Sequence, residues 1–415
     1  MDKYFSLERL RTSIISFLIT VLIFVIIVDP NNNIFYIKDI VFTLIILFWG
    51  YTLFFYSFNI PRKIIIILIF MAIIMPLYSI IIAYINGNEI TIQAPYFKSF
   101  FFFLLLPVLI NLNVNITKRF NQIGFIIPII ISILFIMSYL LNDYVSVPYN
   151  FLVFEKQVAV SREHVIMGFR LFNLFYKTSP LLLFPLCYYL QKYFSTSLNR
   201  TNKKKCFYLI LLLSVAFLLS STRANVLIFI FFFLAYSLFY IYLKNKRIFL
   251  LIFGLLTIVF LMLFFQKLML VFNTNEASNN IKIQHIQDYG ELFKNSPKVL
   301  WIGQGINSCF YSSYYNNFIK TTELTYFELL RIWGLPMSLL FVFFLIYPII
   351  RFFAKYKQYY SYRYIPIAYL AYLLIAGTNP LLLCSTGMIV IVYVYSILVI
   401  QSNEFKVAKK RNCNE

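Results

Sequence analysis

Three arginines and one glutamate lie at the edges of long apolar runs, and their residue types suit chemistry on a charged ligand. Arg170 precedes one apolar segment, Arg223 interrupts another, and Glu323 and Arg331 open a third. A guanidinium is always charged and can donate to two phosphate oxygens at once, which a lysine cannot do as rigidly. If these side chains meet at one cavity, the sequence predicts a site for an anionic ligand.

Each of these residues also has a structural explanation, which the sequence leaves open. Arg223 could snorkel to the membrane interface and end a helix, and Arg170 could be an interfacial anchor. Arg331 lies at i+3 from Glu328, a spacing that favours an ion pair within one helix. Glu323 could be a helix-start carboxylate that the helix dipole favours. The evidence for a site is that the four residues are predicted to lie on one side of the molecule.

Histidine and cysteine are poor candidates for the chemistry. The chain has two histidines, of which His164 is typical of a loop residue and His285 of the polar face of a helix. Five cysteines are scattered and mostly lie in or beside apolar runs, which argues against a disulfide framework or a zinc site.

The elements that must position these residues are membrane helices. Of 415 residues, 61% are hydrophobic and 12% are charged, whereas soluble chains have about 25% charged residues. A helix needs ~20 apolar residues to cross ~30 Å of hydrocarbon. The first apolar run follows a basic start and has no small-residue cleavage site, so we expect a retained anchor.

Apolar runs predict an all-α polytopic integral membrane protein of about twelve transmembrane helices, treated as a single domain over 1–415. The runs are apolar all round, as lipid-embedded helices are. The predicted spans lie near 13–28, 40–58, 64–84, 97–112, 123–141, 172–191, 207–222, 224–243, 248–268, 325–350, 364–378 and 382–400.

The sides of the membrane follow from the charges between these spans. Alternate connections and both terminal segments contain most of the 36 lysines and arginines, with only Asp2, Glu8, Glu404 and Glu415 among the acids. Basic residues concentrate on the cytoplasmic side, so both termini are predicted to be cytoplasmic. Two larger external loops are then expected at 142–171 and 269–324.

The run AFLLSSTRANVLIFIFFFL at 216–234 must contain a turn. One helix from 206 to 243 would be ~55 Å long at ~1.5 Å per residue, which exceeds the thickness of the bilayer. A break at SSTR gives two spans and places Arg223 on the outer face, where the charge bias disfavours a cation.

Several short motifs resemble the O-antigen polymerase and O-antigen ligase superfamily, bacterial inner-membrane glycosyltransferases that act on lipid-linked sugars. The motifs are GFRLFNLFYKTSPLLLFPL at 168–186, LLSSTRANVLIF at 218–229, GQGIN at 303–307 after a long external loop, and TELTYFELLRIWGLPMSLL at 322–340. They cover roughly 168–350, and Asn379-Pro380 is a further similarity to the polymerases.

Two positions favour the polymerase over the ligase. Ligases of this class typically have a histidine where the large loop meets the next helix, and Glu323 stands at the corresponding place here. The glycine that follows Gly-Leu in ligase-like sequences is also replaced, by Met337 after Pro336. A ligase with its base elsewhere stays open, with His285 as a candidate.

The resemblance implies a polymerase that transfers the growing glycan from undecaprenyl diphosphate to another lipid-linked repeat unit, outside the inner membrane. It implies that Arg170, Arg223 and Arg331 bind the diphosphate and that Glu323 is the catalytic base. No Asp-x-Asp motif is present, so we expect no cofactor and no metal requirement. The implied partners are the lipid-linked oligosaccharide, membrane lipid and a chain-length regulator protein, with no nucleic acid.

A flippase or similar transporter of lipid-linked oligosaccharides is the alternative from another class. Its number of spans would be similar, but no predicted span has an ionisable residue near its centre, and the chain shows no matching halves. New glycosidic bonds in a reconstituted bilayer would indicate the enzyme, and translocation without them the transporter.

Overall fold

A computed structural model describes residues 2–54, 60–89, 94–166, 169–194, 199–220, 222, 228–232, 277–355 and 360–412. The helices are α1 (Asp2–Val28), α2 (Lys38–Leu53), α3 (Arg62–Ile85), α4 (Ala94–Phe101), α5 (Leu105–Asn111), α6 (Thr117–Leu140), α7 (Asp143–Asn150), α8 (Leu183–Phe194), α9 (Arg200–Ser220), α10 (Ala277–Asn295), α11 (Pro297–Ile302), α12 (Thr325–Ala354), α13 (Tyr364–Gly377) and α14 (Ser385–Asn412). Two antiparallel hairpins pair β1 (Ala159–Ile166) with β2 (Phe169–Tyr176) and β3 (Phe310–Ser312) with β4 (Asn317–Ile319).

Five of the described helices are long and apolar enough to cross a membrane, over Leu10–Val28, Arg62–Ile85, Thr117–Leu140, Thr325–Ala354 and Ser385–Ser402. Shorter apolar helices cover Lys98–Asn111 and Tyr364–Gly377. The protein is therefore a mostly helical membrane protein. Two of the predicted spans, 224–243 and 248–268, lie almost entirely outside the described residues, so the total of about twelve stays a prediction.

The last of these helices, α14, forms the centre of the bundle. Its apolar segment is 89% buried, whereas the other four spanning helices are 33–44% buried and keep a face for lipid. It packs against α1, α4, α5, α12 and α13. A helix that is apolar on every side can lie in lipid or in a protein core, so its own sequence does not show which. The helices that surround α14 place it in the core.

The connections between helices gather at two opposite ends of the bundle. At one end, Asn31 Nδ2 donates to the Gln157 carbonyl over 3.0 Å, and Asn88 Nδ2 donates to the Gln304 carbonyl over 2.8 Å. Thr325 Oγ1 donates to the Asn379 carbonyl over 2.9 Å at the same end. We call this the hairpin end, because the β1–β2 hairpin lies there.

The other end contains the described parts of the connections 54–61, 112–116, 195–199 and 355–363. Asn115 Nδ2 donates to the Tyr362 hydroxyl over 3.1 Å, and Gln191 Nε2 donates to the Ser361 carbonyl over 3.3 Å. We call it the basic end. The connections that these contacts place at one end are the ones that the charge pattern predicts to share one side of the membrane. The described parts of 142–171 and 269–324 both lie at the hairpin end. Which end faces the cytoplasm stays a prediction.

The prediction of a helical span over 172–191 is wrong in its first half. Residues up to Tyr176 form β2, a 3-10 turn covers Ser179–Leu182, and the helix α8 begins at Leu183. Aromatic residues are common in strands, and Phe172, Phe175 and Tyr176 lie in the segment that pairs with β1. The apolar run therefore contains a hairpin strand and a short helix.

The break predicted near SSTR agrees with the described residues around it. The helix α9 ends at Ser220, Thr222 lies outside any helix, and residues 228–232 are helical again. The Ser220 hydroxyl donates to the Ala216 carbonyl, and the Ser220 carbonyl accepts from Ser179 Oγ over 3.1 Å. The end of α9 is thus bound to the turn that precedes α8.

Candidate functional site

The segment Gly303–Gly305 is a structural junction between the loop 277–324 and the bundle. Gly334 has a φ of 70° and interrupts α12, and Pro336 has no N–H to give to the Ile332 carbonyl. That carbonyl accepts from the Gly305 N–H over 3.0 Å instead. A Cβ on Gly305, whose φ is 76°, would lie 2.2 Å from the Ala83 nitrogen, so only glycine fits between α3 and α12.

A buried ion pair lies directly beneath this junction. Arg331 is 1% exposed, and its Nη2 lies 2.6 Å from Glu328 Oε2 on the same helix. The other carboxylate oxygen accepts from the Tyr289 hydroxyl over 2.8 Å and from the Thr322 N–H over 2.7 Å. The pair is thereby hydrogen-bonded on both sides, as a charge in a low-dielectric interior requires.

The remaining donors of Arg331 bind the loop. Its Nη1 donates to the carbonyl and hydroxyl of Ser308, and its Nη2 donates to the Lys320 carbonyl over 2.7 Å. Phe310 lies under the guanidinium, with 5.3 Å from the ring centre to Cζ. Every N–H of Arg331 is therefore used within the protein, so the i+3 ion pair that the sequence left open is formed, and no donor faces a ligand.

The segment IKIQHIQDYGELF lies in α10, and polar residues share its buried face with Tyr289. Ile283 and Ile286 are exposed, whereas His285, Asp288 and Tyr289 are buried. His285 Nε2 lies 3.1 Å from Ser312 Oγ, and an Asp288 oxygen accepts from the Ser313 N–H over 3.1 Å. The polar residues are inside because the β3–β4 hairpin supplies their hydrogen-bond partners, which hydrophobic periodicity cannot indicate.

His285 is thus a structural residue of this loop rather than one on a polar face. Burial lowers its pKa below the usual value for histidine, against the opposing effect of nearby carboxylates. Tyr289 stacks on Phe310, with 4.7 Å between ring centres, and on Phe327, with 5.5 Å. The loop therefore has a small core of its own, attached to the first turns of α12.

Glu323 lies at the surface of this loop. Its side chain is 56% exposed and forms an ion pair with Lys282 over 3.3 Å. It has different partners from Arg331, so the structure does not bring these two predicted site residues together. Its exposure leaves the carboxylate accessible to an external ligand.

The other two predicted residues can be located only in part. Arg170 lies on β2 opposite Val165 in the hairpin, and its side chain lies outside the described residues. Arg223 also lies outside them. The Asn379-Pro380 turn adjoins the start of α12, because the Asn379 carbonyl accepts from Thr325.

A cationic group that sequence reasoning missed lies at the hairpin end, at the start of α14. Lys38, the first residue of α2, is 6% exposed. Its ammonium donates to the Pro30 carbonyl over 2.8 Å and to Ser385 Oγ over 3.2 Å. Burial lowers its pKa below the usual value for lysine, while Asp39, Asp29 and Cys384 raise it.

The neighbouring acids are bound elsewhere. Asp29 accepts from the backbone N–H groups of Asn33, Ile34 and Phe35, and Asp39 forms an ion pair with Lys98. No described residue forms an ion pair with Lys38 within hydrogen-bonding reach. A buried charge without a direct counter-charge is costly, and proteins retain such groups mainly where they have a function.

Lys177 is a second cation at the same place. It lies in the turn after β2, half-buried, and its Nζ lies 3.1 Å from Asn31 Oδ1. Burial lowers the pKa of Lys177, and Cys384 interacts electrostatically with both lysines. We call Lys38, Lys177 and Ser385 the lysine pocket. Ser385, which accepts from Lys38, is the first residue of α14.

The sequence contains only a weak indication of the lysine pocket. Both lysines adjoin external turns, on the side where the charge bias disfavours cations, as it does for Arg223. Nothing in their spacing along the chain shows that α2, β2 and α14 meet. Comparison with known protein families, with curated proteins and with solved structures finds no match to this chain.

Proposed function

We propose that the protein is a polymerase of lipid-linked oligosaccharides, which transfers a growing glycan from undecaprenyl diphosphate to another lipid-linked repeat unit at the outer face of the bacterial inner membrane. The observation that carries the proposal is the lysine pocket, with two desolvated cations that form no ion pair with any acid among the described residues. It lies at the end of the bundle that bears the Arg170 hairpin and the loop with Glu323. The polyprenyl chain of a lipid diphosphate lies in the bilayer, so we expect its charge at an end of the bundle, where the connections between spans lie.

The proposed reaction uses the cations to stabilise the leaving group. The acceptor hydroxyl attacks the anomeric carbon of the donor sugar, and the bond from that carbon to the diphosphate oxygen breaks. Lys38 and Lys177, with Arg170 and Arg223, stabilise the charge that develops on the diphosphate. A carboxylate, with Glu323 as the candidate, takes the proton of the hydroxyl.

Arg331 has a different role in this proposal from the one that the family resemblance implies. Its guanidinium holds the loop on α12 and so positions the face on which Glu323 lies. The ligase reading with His285 as base has less support, because that ring is buried against Ser312.

The test is extension of purified lipid diphosphate repeat units in proteoliposomes, with and without a chelator. We expect Lys177→Met to insert normally and to lose on the order of 100-fold in rate, the value typical of one charge-assisted contact in a preorganised site. Lys294→Gln, on the exposed surface of α10, is the matched control and should keep the activity.

The stability of the same variants separates a functional lysine from a structural one. Removing a desolvated charge that has one hydrogen bond should leave thermal stability unchanged or raised. Loss of stability together with activity would make Lys177 structural. Translocation of the lipid without new glycosidic bonds in any variant would replace the polymerase with a transporter.

A further inference from the structure

A cleft of about 510 Å³ opens at the basic end, between the start of α6 and the end of α8. It is lined by two lysines, Lys118 and Lys192, by Asn121 and Gln122, and by the rings of Phe125 and Tyr188. This cleft is far along the bundle from the lysine pocket, because α6 begins at the basic end and finishes at the hairpin end. The proposed reaction does not use it.

The electrostatic surroundings of the cleft favour an anion. The four connections at this end, 54–61, 112–116, 195–199 and 355–363, contain no aspartate or glutamate. Lys192 is held at the cleft by Tyr188, with 4.8 Å from Nζ to the ring centre. Both lysines are exposed, so they can reach a phosphate without a large desolvation cost.

A second observation concerns the floor of the cleft. Asn121 is 8% exposed, and its Oδ1 accepts no hydrogen bond from any described residue. A buried acceptor without a donor costs free energy, so its partner is expected to come from outside the chain. A hydroxyl group fits either orientation of the amide, because it can both donate and accept.

We propose that this cleft binds the head group of an anionic glycerophospholipid. The phosphate contacts Lys118 and Lys192, and a head-group hydroxyl hydrogen-bonds Asn121. The acyl chains lie along the exposed apolar side of α6, at Phe125, Ile129 and Ile133. The position supports a lipid rather than a soluble phosphate, because α6 is a spanning helix and its first turn lies where head groups are found. Basic pockets between helices are known to bind such lipids on the cytoplasmic side.

The experiment uses the purified full-length protein in detergent that contains phosphatidylcholine. Phosphatidylglycerol is added in increasing amounts, and native mass spectrometry counts the bound lipid molecules. The double variant Lys118→Gln/Lys192→Gln should bind phosphatidylglycerol on the order of ten- to thirty-fold more weakly, since each lysine near a membrane contributes about one decade or less. The double variant Lys204→Gln/Lys205→Gln removes the same charge from exposed positions on α9, and it should bind as the wild type does.

A further arm tests the hydroxyl contact. Phosphatidylmethanol keeps the phosphate and lacks the hydroxyls, so the wild type should bind it roughly two- to tenfold more weakly than phosphatidylglycerol. Asn121→Leu should remove that difference. Equal loss in both lysine variants would show general surface attraction and overturn the proposal. Displacement of the lipid by millimolar glycerol phosphate would identify a free phosphate as the ligand instead.

Discussion

Two glutamates five positions apart in the sequence, Glu323 and Glu328, have opposite environments. Substitutions at them therefore test different properties, which are stability at Glu328 and catalysis at Glu323. Glu328 is buried and bound by Arg331, Tyr289 and the Thr322 N–H, whereas Glu323 is exposed and paired with Lys282 alone among the described contacts. A buried charge that loses its partner destabilises a protein by about 3–5 kcal/mol, and an exposed pair contributes about 0–1 kcal/mol. Identical substitutions at the two positions should therefore have different effects.

The first prediction compares Glu328→Gln with Glu323→Gln. We expect Glu328→Gln to leave Arg331 without its counter-charge and to cost about 3–5 kcal/mol of stability. Glu323→Gln should cost about 1 kcal/mol or less. The measurements are the thermal midpoint of the purified protein and the rate of proteolysis within the loop 277–324.

The rate of glycan extension by the same two variants tests the proposed catalytic role of Glu323. If Glu323 is the base, Glu323→Gln stops glycan extension while the protein stays as stable as the wild type. Full activity of Glu323→Gln would assign the base to another residue. Equal stability of the two variants would contradict the structural role of the buried pair.

The junction at Gly303–Gly305 shows which structural elements a sequence can indicate. The short GQG motif lacks the GK[ST] that accompanies a phosphate loop, so the sequence does not indicate what it does. Its role depends on α12, where Gly334 and Pro336 free two carbonyls that accept from Gln304 and Gly305. Hydrophobic runs predicted most of the described helices, since span length and apolarity are local properties. The β2 strand and the lysine pocket depend on contacts between distant segments, so no local pattern predicted them.

The second prediction concerns this junction. Gly305→Ala should destabilise the attachment of the loop by several kcal/mol, because the new Cβ would lie 2.2 Å from a backbone nitrogen of α3 at a positive φ. Gly290→Ala is the control, because nothing lies within 4 Å of its Cβ and alanine favours a helix over glycine by about 1 kcal/mol.

Hydrogen exchange across α11 and the first turns of α12 measures the effect. We expect faster exchange in Gly305→Ala and unchanged or slower exchange in Gly290→Ala. Equal protection in both variants would mean that the close approach of the loop to α3 contributes little to holding the loop in place.

At the scale of the molecule, the two ends of the bundle differ in charge, in structure and in predicted side. The hairpin end contains both β-hairpins and the lysine pocket, and the basic end contains short connections without acids. The cytoplasmic preference of basic residues assigns the hairpin end to the outside. A native cysteine makes this assignment testable, because Cys309 is exposed at the hairpin end, whereas Cys187 and Cys206 are buried.

The third prediction is that a membrane-impermeant maleimide labels Cys309 in intact cells. In a background with Cys309, Cys384 and Cys413 changed to serine, Ser361→Cys at the basic end should react only after the membrane is permeabilised. Labelling of the 361 position in intact cells would reverse the orientation, and with it the placement of the lysine pocket on the outer face.

The central position of α14 also bears on how the protein is made. Every helix that α14 contacts precedes it in the chain, so all of them enter the bilayer before the helix that fills the space between them. Until α14 has been synthesised, acyl chains are expected to cover the inner faces of α4, α5, α12 and α13. Assembly of the bundle then requires those acyl chains to leave as α14 enters. Folding is therefore expected to finish in one late cooperative step, after most of the chain has already crossed the membrane.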